Sequence, residues 1–418
     1  GGSFLPKVCE MAPSGRAHSD VAKAARKGWA STPPPPHGGG GDAYCQAEPP
    51  ALPRPPSPGA RLVRAALVAR HGDRSPLAGF EGDGYGDAWA GRCPNGREGT
   101  ACYKGQLTNR GAAQLRRNGA SLRQALRSAG LAREPYTVEV HCTHIPRTMD
   151  SARALLEGLL GSRWAAGRVH VAQQHSGPAL WLYPNREYCG ALKARGGSVG
   201  AHLVGEEAAD KAGFSKVGHW KLGEFFTNYT DQRVRLFDLY AARRCHQPGA
   251  GVYPCGEEGQ CGFDELKSAA TVAEVAQFLQ AREEGWLQLV VGPLVDRLIV
   301  FLLGEGGSVP DFLYFSGHDT TLMPLLVALD LWERPPVGGE WPPYASTLLF
   351  SLWTTAEGAD MVQLTYNGEP VELPACSYPC TTDKLRSALA RLALKEEAWR
   401  GRCDAIEAKA DAITQSVR

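Results

Sequence analysis

Seven of the eight residues from Leu62 to Ala69 are aliphatic, in the run RLVRAALVAR that spans Arg61 to Arg70 of this 418-residue chain. A strand with one wet face alternates apolar and polar residues, whereas a strand covered on both faces reads as a near-continuous aliphatic run. The segment therefore predicts a central strand of a parallel sheet, ending abruptly at His71-Gly72. The same grammar recurs twice. Tyr136 to His141 alternates like a strand and leads to a helix from Thr148, with Ala152, Leu155, Leu156, Leu159 and Leu160 on one face. Asp311 to Ser316 reads as a strand, Gly317 breaks it, and Thr320 to Leu331 resumes helical spacing through Leu322, Leu325, Leu326 and Leu329. Asn109 to Leu126 is helical by Leu115, Leu122 and Leu126. Strands alternating with helices predict an α/β fold, a three-layer sandwich around a mostly parallel central sheet.

The rest of the chain divides by composition. Residues 1–59 hold Pro33 to Pro36, Gly38 to Gly41 and six prolines between Pro49 and Pro58, which predicts a disordered extension. Lys7, Arg16, Lys23, Arg26 and Lys27 make its first part basic, either incidentally or as the remnant of a targeting segment. Residues 60–166 form the first part of the core. Residues 167–284, looser and rich in Gly and Pro, are expected to be an inserted, mainly helical cap. Residues 285–418 complete the core and end in a helix.

With 45 Lys+Arg against 44 Asp+Glu, the net charge of +1 gives no electrostatic case for nucleic acid or an anionic membrane as partner. The apolar stretch Leu287 to Leu303 is interrupted by Asp296 and Arg297, so it is expected to be a buried helix and not a membrane span. The 12 cysteines suit a few staples on a self-supporting fold. Cys376 and Cys380 are spaced to close a small loop, and Cys245, Cys255 and Cys261 fall in an expected surface loop. No second pair at zinc-ligand spacing accompanies them, so no metal is expected. Asn228-Tyr229-Thr230 is a glycosylation sequon that matters only on the secretory route.

Chemistry concentrates where strands stop. Arg70-His71-Gly72-Asp73-Arg74-Ser75-Pro76 follows the buried strand directly, and the carboxyl ends of strands are where open α/β sheets bind ligands. Two guanidinium groups beside one imidazole suit a tetrahedral oxyanion, with Gly72 permitting close backbone approach. Arg147, in HCTHIPRTMDSA, stands between a strand and the start of its helix, again a favourable place for an anion. Alone it would read as an ordinary helix-end ion-pair partner. Gly317-His318-Asp319-Thr320-Thr321 occupies the same position after the third strand, where the bland alternative is a helix-capping cluster. Together they form a coherent set: His71 as nucleophile toward phosphorus, Asp319 as the acid for the departing alkoxide, and Arg70, Arg74, Arg147 and His318 around the phosphoryl oxygens. This chemistry requires no cofactor.

These motifs resemble the histidine acid phosphatase family, with its Arg-His-Gly-x-Arg-x-Pro segment and its later His-Asp pair, over residues 61 to about 403. The resemblance implies a phosphohistidine on His71, Asp319 acting first as acid and then as base for water, and a phosphoglycerate mutase-like α/β core under a helical cap. Gly105-Gln106-Leu107-Thr108, Leu182-Tyr183-Pro184-Asn185, Val291-Gly292-Pro293 and Trp341-Pro342-Pro343-Tyr344-Ala345 are similar to the branch acting on lysophosphatidic acid. On that reading the substrate is a lysophospholipid phosphate, released as monoacylglycerol and phosphate. Trp181, Leu182, Tyr183 and Trp220 are candidates for an acyl path. The alternatives are sugar or inositol phosphates, for which Arg186, Lys193 and Arg195 offer a modest cluster, or a phosphotransferase or phosphate binder that does not hydrolyse. The resemblance places the chain in mitochondria, the sequon in the secretory route, and it leaves monomer and homodimer open. Where many family members have Arg and an acid, this chain has His141 and Pro146, which is expected to remove a positive charge beside the site. An acidic optimum is expected, with Asp319 protonated and His71 kept neutral by the arginines.

Overall fold

The computed structural model describes residues 43–77, 89–94, 101–131, 137–161, 170–171, 182, 189–192, 232–246, 252–254, 260–305, 309–376 and 378–403. The aliphatic run forms strand β1 (Arg61–Arg70) near the middle of a seven-stranded sheet. On one side lie β2 (Val138–Cys142), β3 (His170–Val171) and β6 (Phe312–Gly317); on the other lie β7 (Thr347–Thr354), β8 (Asp360–Tyr366) and β9 (Glu369–Val371). The order is β3-β2-β6-β1-β7-β8-β9. Pairings among the first four are parallel, and β7, β8 and β9 add an antiparallel wing. The wing is antiparallel because short returns such as Asn367-Gly368 join its last strands, which parallel pairing does not allow.

Double burial explains the composition of β1. Ala65, Leu67 and Ala69 face a core shared with helices α1 (Asn109–Ser128) and α2 (Pro146–Leu160), whereas Ala66 and Val68 face the opposite core. Leu62 joins the first set because the strand slips register between Leu62 and Arg64. The opposite core is covered by α4 (Phe263–Glu283), α5 (Leu287–Leu303) and α6 (Asp319–Ala328). Gly119 and Gly158 let α1 and α2 approach closely, since a Cβ at either would stand 2.0 or 2.1 Å from a carbonyl oxygen of the other helix. Further described elements are α3 (Gln232–Arg244), the hairpin of β4 (Val252–Pro254) and β5 (Gln260–Gly262), and α7 (Thr382–Leu389).

Residues 43–59 depart from the expected extension. They pack along the core, beginning with a single 3-10 turn at Ala43–Cys45. Proline-rich composition argues against ladders, but backbone carbonyls remain acceptors. Those of Ala47, Pro50 and Ala51 accept from Arg117, Ser121 and Thr365 at 2.9, 3.1 and 2.9 Å. The Cys45–Cys245 disulfide ties the segment to the end of α3, so Cys245 is buried and not on the surface. Cys93–Cys102, Cys189–Cys403 and Cys376–Cys380 are also bonded, and Cys142 is a buried thiol. Residues 1–42, Trp181, Tyr183, Arg186, Lys193, Arg195, Trp220, Asn228 and the side chains of Cys255 and Cys261 lie outside the described residues. Among those described, no single helix is long and apolar enough to cross a membrane.

Candidate active site

Strand ends build the site. β1 delivers Arg70 and runs straight into His71; β2 and the turn after it deliver Arg147 at the start of α2; β6 delivers His318 as the N-cap of α6 and Asp319 as its first residue. Because β2, β6 and β1 are adjacent and parallel, their three carboxyl ends fall on one edge of the sheet. Arg70, His71, Arg74, Arg147, His318 and Asp319, all named from the sequence, line one cavity.

The loop after β1 is held from below. Gly72 packs against the first turn of α1, where a Cβ would meet the Gly111 carbonyl oxygen at 2.4 Å, so a side chain at Gly72 is sterically barred. The backbone N–H of Asp73 donates to Gln114 Oε1 at 2.8 Å, and that of Gly72 donates to Ser151 Oγ at 3.1 Å. Arg92 donates to His246 Nδ1, which leaves the Nε2 proton of a neutral ring for Asp73 Oδ2, 2.6 Å away. Below the cavity the loop therefore has little freedom.

His71 is 1% exposed, and its Nδ1 lies 2.8 Å from the Gly72 carbonyl oxygen. A carbonyl only accepts, so Nδ1 carries the proton and the lone pair is on Nε2. Burial first, then Arg147, Arg70, Arg74 and His318, hold its pKa well below the usual 6.5, and the ring is neutral. His318 stands edge-on to it, with ring centroids 5.5 Å apart. Both nitrogens of His318 are engaged: Nε2 is 3.0 Å from Thr143 Oγ1, and Nδ1 is 3.5 Å from Arg147 Nη2.

The arginines are anchored by acceptors, of which Asp319 was expected at the site from the sequence and Asp238 was not. Arg70 donates through Nη1 to the Pro342 carbonyl at 2.6 Å, and Nη2 pairs with Asp319 Oδ2 at 2.8 Å. Its guanidinium lies 4.4 Å from the centre of the Tyr344 ring. Arg74 pairs with Asp238 of α3, whose other carboxylate oxygen accepts from the Leu77 N–H at 3.0 Å. The Nε–H groups of both arginines are buried and find no acceptor among the described residues. Buried donors of this kind suit an oxyanion.

Asp319 differs from expectation in its charge. Burial pushes its carboxyl up, but Arg70, Arg74 and His318 together outweigh that and hold it below the usual carboxylate range. Trp341 Nε1 donates to Oδ2 at 3.1 Å and the Thr320 N–H to Oδ1 at 2.9 Å, as befits a carboxylate. The ligand-free protein thus presents an ionised Asp319. His141, expected to alter the charge beside the site, is not among the residues lining the cavity. It lies 2.5 Å from Glu139, which also pairs with Arg297, and it stacks on Phe315.

Tyr44, Leu77, Val234, Phe237, Asp238, Glu274, Thr320 and Trp341 complete the lining. Trp341 and Pro342 belong to a stretch noted above only as a similarity; the signal was there, without a role. Tyr44 and Asp238 gave none, because one sat in a proline-rich segment and the other in a helix far along the chain. Among the described residues, no group of three or more His, Cys, Asp or Glu side chains is arranged to hold a metal ion. The cavity can hold a tetrahedral anion between a neutral imidazole and a carboxyl group.

The chain is similar to known phosphatases in sequence and in fold. The family model described as histidine phosphatase superfamily (branch 2) matches residues 61–191. The lysophosphatidic acid phosphatase type 6 of Mus musculus is 27% identical over 319 residues, covering 72% of this chain and 70% of that protein. The testicular acid phosphatase of Homo sapiens is 28% identical over 368 residues, covering 79% of this chain and 78% of its own. Among solved structures, the apo form of the Hafnia alvei phytase superposes with a TM-score of 0.57 at 15% identity, covering 82% of this chain and 99% of the phytase, a likeness of fold.

Proposed function

This chain belongs to the histidine phosphatase superfamily (branch 2), and from that premise we propose that it hydrolyses phosphomonoesters through a phosphohistidine on His71. The observation that carries the proposal is the protonation of His71: a buried neutral ring whose Nδ1 proton is given to Gly72 has its Nε2 lone pair available. Arg70, Arg74, Arg147 and His318 bind the phosphoryl oxygens and stabilise the charge spread over them. Before substrate binds, Nδ1 of His318 faces the Arg147 guanidinium, which can only donate to it; once Arg147 turns onto the phosphoryl group, His318 donates from Nδ1 in the tautomer whose Nε2 accepts from Thr143. Nε2 of His71 attacks phosphorus, the ester oxygen leaves with a proton from Asp319, and the alcohol departs. Asp319, now a carboxylate, takes a proton from water as that water attacks phosphorus, the N–P bond breaks, and phosphate is released with His71 restored.

The acidic proton has to be supplied, because Asp319 is ionised before substrate arrives. A phosphomonoester has a second pKa of about 6, so its monoanion brings one proton into the cavity. There the phosphoryl charge offsets the arginines, the carboxyl pKa rises, and the proton moves to Asp319. The sign of the pH dependence follows. Activity is lost as pH rises above about 6, where the substrate loses that proton, by about tenfold per unit in kcat/KM. On the acid side it persists until His71 is protonated, well below 6.5. A pH profile of kcat/KM checks this; a rate that climbs above neutrality contradicts it.

For the substrate we propose lysophosphatidic acid. The type 6 relatives are named for it, and Leu77, Val234, Phe237 and Trp341 give the cavity an apolar wall for an acyl alcohol. Inositol and sugar phosphates are the second reading; Asp238 and Glu274 in the lining oppose a polyanion. Phosphate release without added metal from lysophosphatidic acid, inositol hexakisphosphate and a sugar phosphate separates the readings. The highest kcat/KM is expected for the lipid, and a preference for the hexakisphosphate would contradict it.

A further inference from the structure

Tyr44 reaches the cavity from a segment that the proposed reaction does not use. Its phenol oxygen accepts from both terminal nitrogens of Arg70, 3.3 Å from Nη1 and 3.2 Å from Nη2. Its ring is wedged edge-on against Phe237 and Phe263, with centroids 5.1 and 5.9 Å away. The next residue, Cys45, is bonded to Cys245 just beyond α3, the helix that supplies Phe237 and Asp238 to the lining. The Cys45 carbonyl accepts from Gln114 Nε2 at 2.6 Å, and the Oε1 of the same glutamine accepts from the N–H of Asp73 in the His71 loop. One short turn is thereby tied to α3, to α1 and to the loop after β1.

We propose that Tyr44 is a positioning residue for the phosphate seat: the Cys45–Cys245 bond delivers its phenol to Arg70, and the phenol holds the guanidinium against the pull of Asp319. The inference rests on the reading of Arg70 as a phosphate ligand given above. The pull is visible in the 2.8 Å ion pair between Arg70 Nη2 and Asp319 Oδ2. Left to that attraction alone, the guanidinium would turn toward the carboxylate and its charge would be spent there. The Pro342 carbonyl takes Nη1, and the phenol oxygen shares both nitrogens and fixes the plane. A second carboxylate in the place of Tyr44 would hold Arg70 as well, but it would cancel the charge that phosphate needs. Burial pushes the Tyr44 phenol pKa up, so the group stays neutral and orients without neutralising.

Tyr44→Phe keeps the ring and the disulfide and removes one oxygen. Competitive inhibition by inorganic phosphate should weaken about tenfold, the scale of one hydrogen bond to a charged group, with KM rising by a similar factor and kcat changing far less. A purely structural role for Tyr44 would lower the amount of active protein without moving the phosphate inhibition constant. The Cys45→Ser/Cys245→Ser pair should show the same weakening, and combining it with Tyr44→Phe should add little, because both act through one phenol. Full additivity, or unchanged phosphate inhibition in Tyr44→Phe, overturns the proposal; should the cysteine pair fail to fold, the Tyr44→Phe inhibition constant decides alone. Arg70→Lys separates the two levels. If it weakens phosphate binding while Tyr44→Phe does not, only the positioning role fails; if neither changes it, the phosphate seat itself is wrong.

Discussion

His71→Ala abolishes turnover, lowering kcat by at least about 10⁴-fold, while the folded protein and its affinity for inorganic phosphate survive. The size follows from what is removed: among the described lining residues the other imidazole is His318, and both of its nitrogens are already engaged. Phosphate affinity is retained because the charge of the seat resides in Arg70, Arg74 and Arg147, and His71 is neutral. Removing the ring relieves some desolvation of the neighbouring arginines but takes no charge away. Steady-state rates together with phosphate binding to the variant check the result. A variant retaining a tenth of the activity would mean that water, or another group, attacks phosphorus directly.

Asp319→Asn has the second largest effect, and its signature is selectivity. The amide is isosteric, can still accept on its single oxygen from one of the two donors, the Trp341 indole or the Thr320 N–H, and has no acidic proton to give to a leaving alkoxide. Loss of a general acid costs about 10²- to 10⁴-fold on an alkyl phosphate. On p-nitrophenyl phosphate, whose phenolate departs without protonation, the loss in the first step should be much smaller. A further consequence separates this variant from a merely damaged one. Asp319 competes with substrate for Arg70, so Asn should leave Arg70 free and inorganic phosphate should bind more tightly. Equal losses on both esters, with weaker phosphate binding, would remove Asp319 from the acid role.

The parts of the site that the sequence made legible are those fixed by a strand end. RLVRAALVAR has to be buried on both faces, a parallel neighbour has to end beside it, and residues placed just after two such ends have to meet. That logic brings Arg70, His71, His318 and Asp319 together from positions far apart in the chain, and Arg147 enters by the same rule through β2. The antiparallel wing was less visible, because β7 is as fully buried as its parallel neighbours and an aliphatic run does not state its direction.

What sequence could not supply was every contact between segments without a shared period. Cys45 and Cys245 are 200 residues apart, and nothing local distinguishes that pairing from others among twelve cysteines. Asp238 is one charge on an amphipathic helix until Arg74 is placed beside it. The charge state of Asp319 was also out of reach from sequence: the same arginines that were expected to keep His71 neutral also keep Asp319 ionised. His141 was weighed as a missing charge, whereas its partner Glu139, which also pairs with Arg297, makes it part of a separate, partly buried network.

The proposed reaction is covalent, with phosphate passing through Nε2 of His71. Mixing enzyme with a labelled phosphomonoester, quenching in alkali within the first turnover and mapping the phosphorylated peptide by mass spectrometry tests it directly, because a phosphohistidine survives base and is lost in acid. Label is expected on His71 in the wild-type protein, and it should persist longer in Asp319→Asn, whose intermediate lacks a base for water. Product formed in that first turnover with no labelled protein, or with label on any other residue, would contradict it.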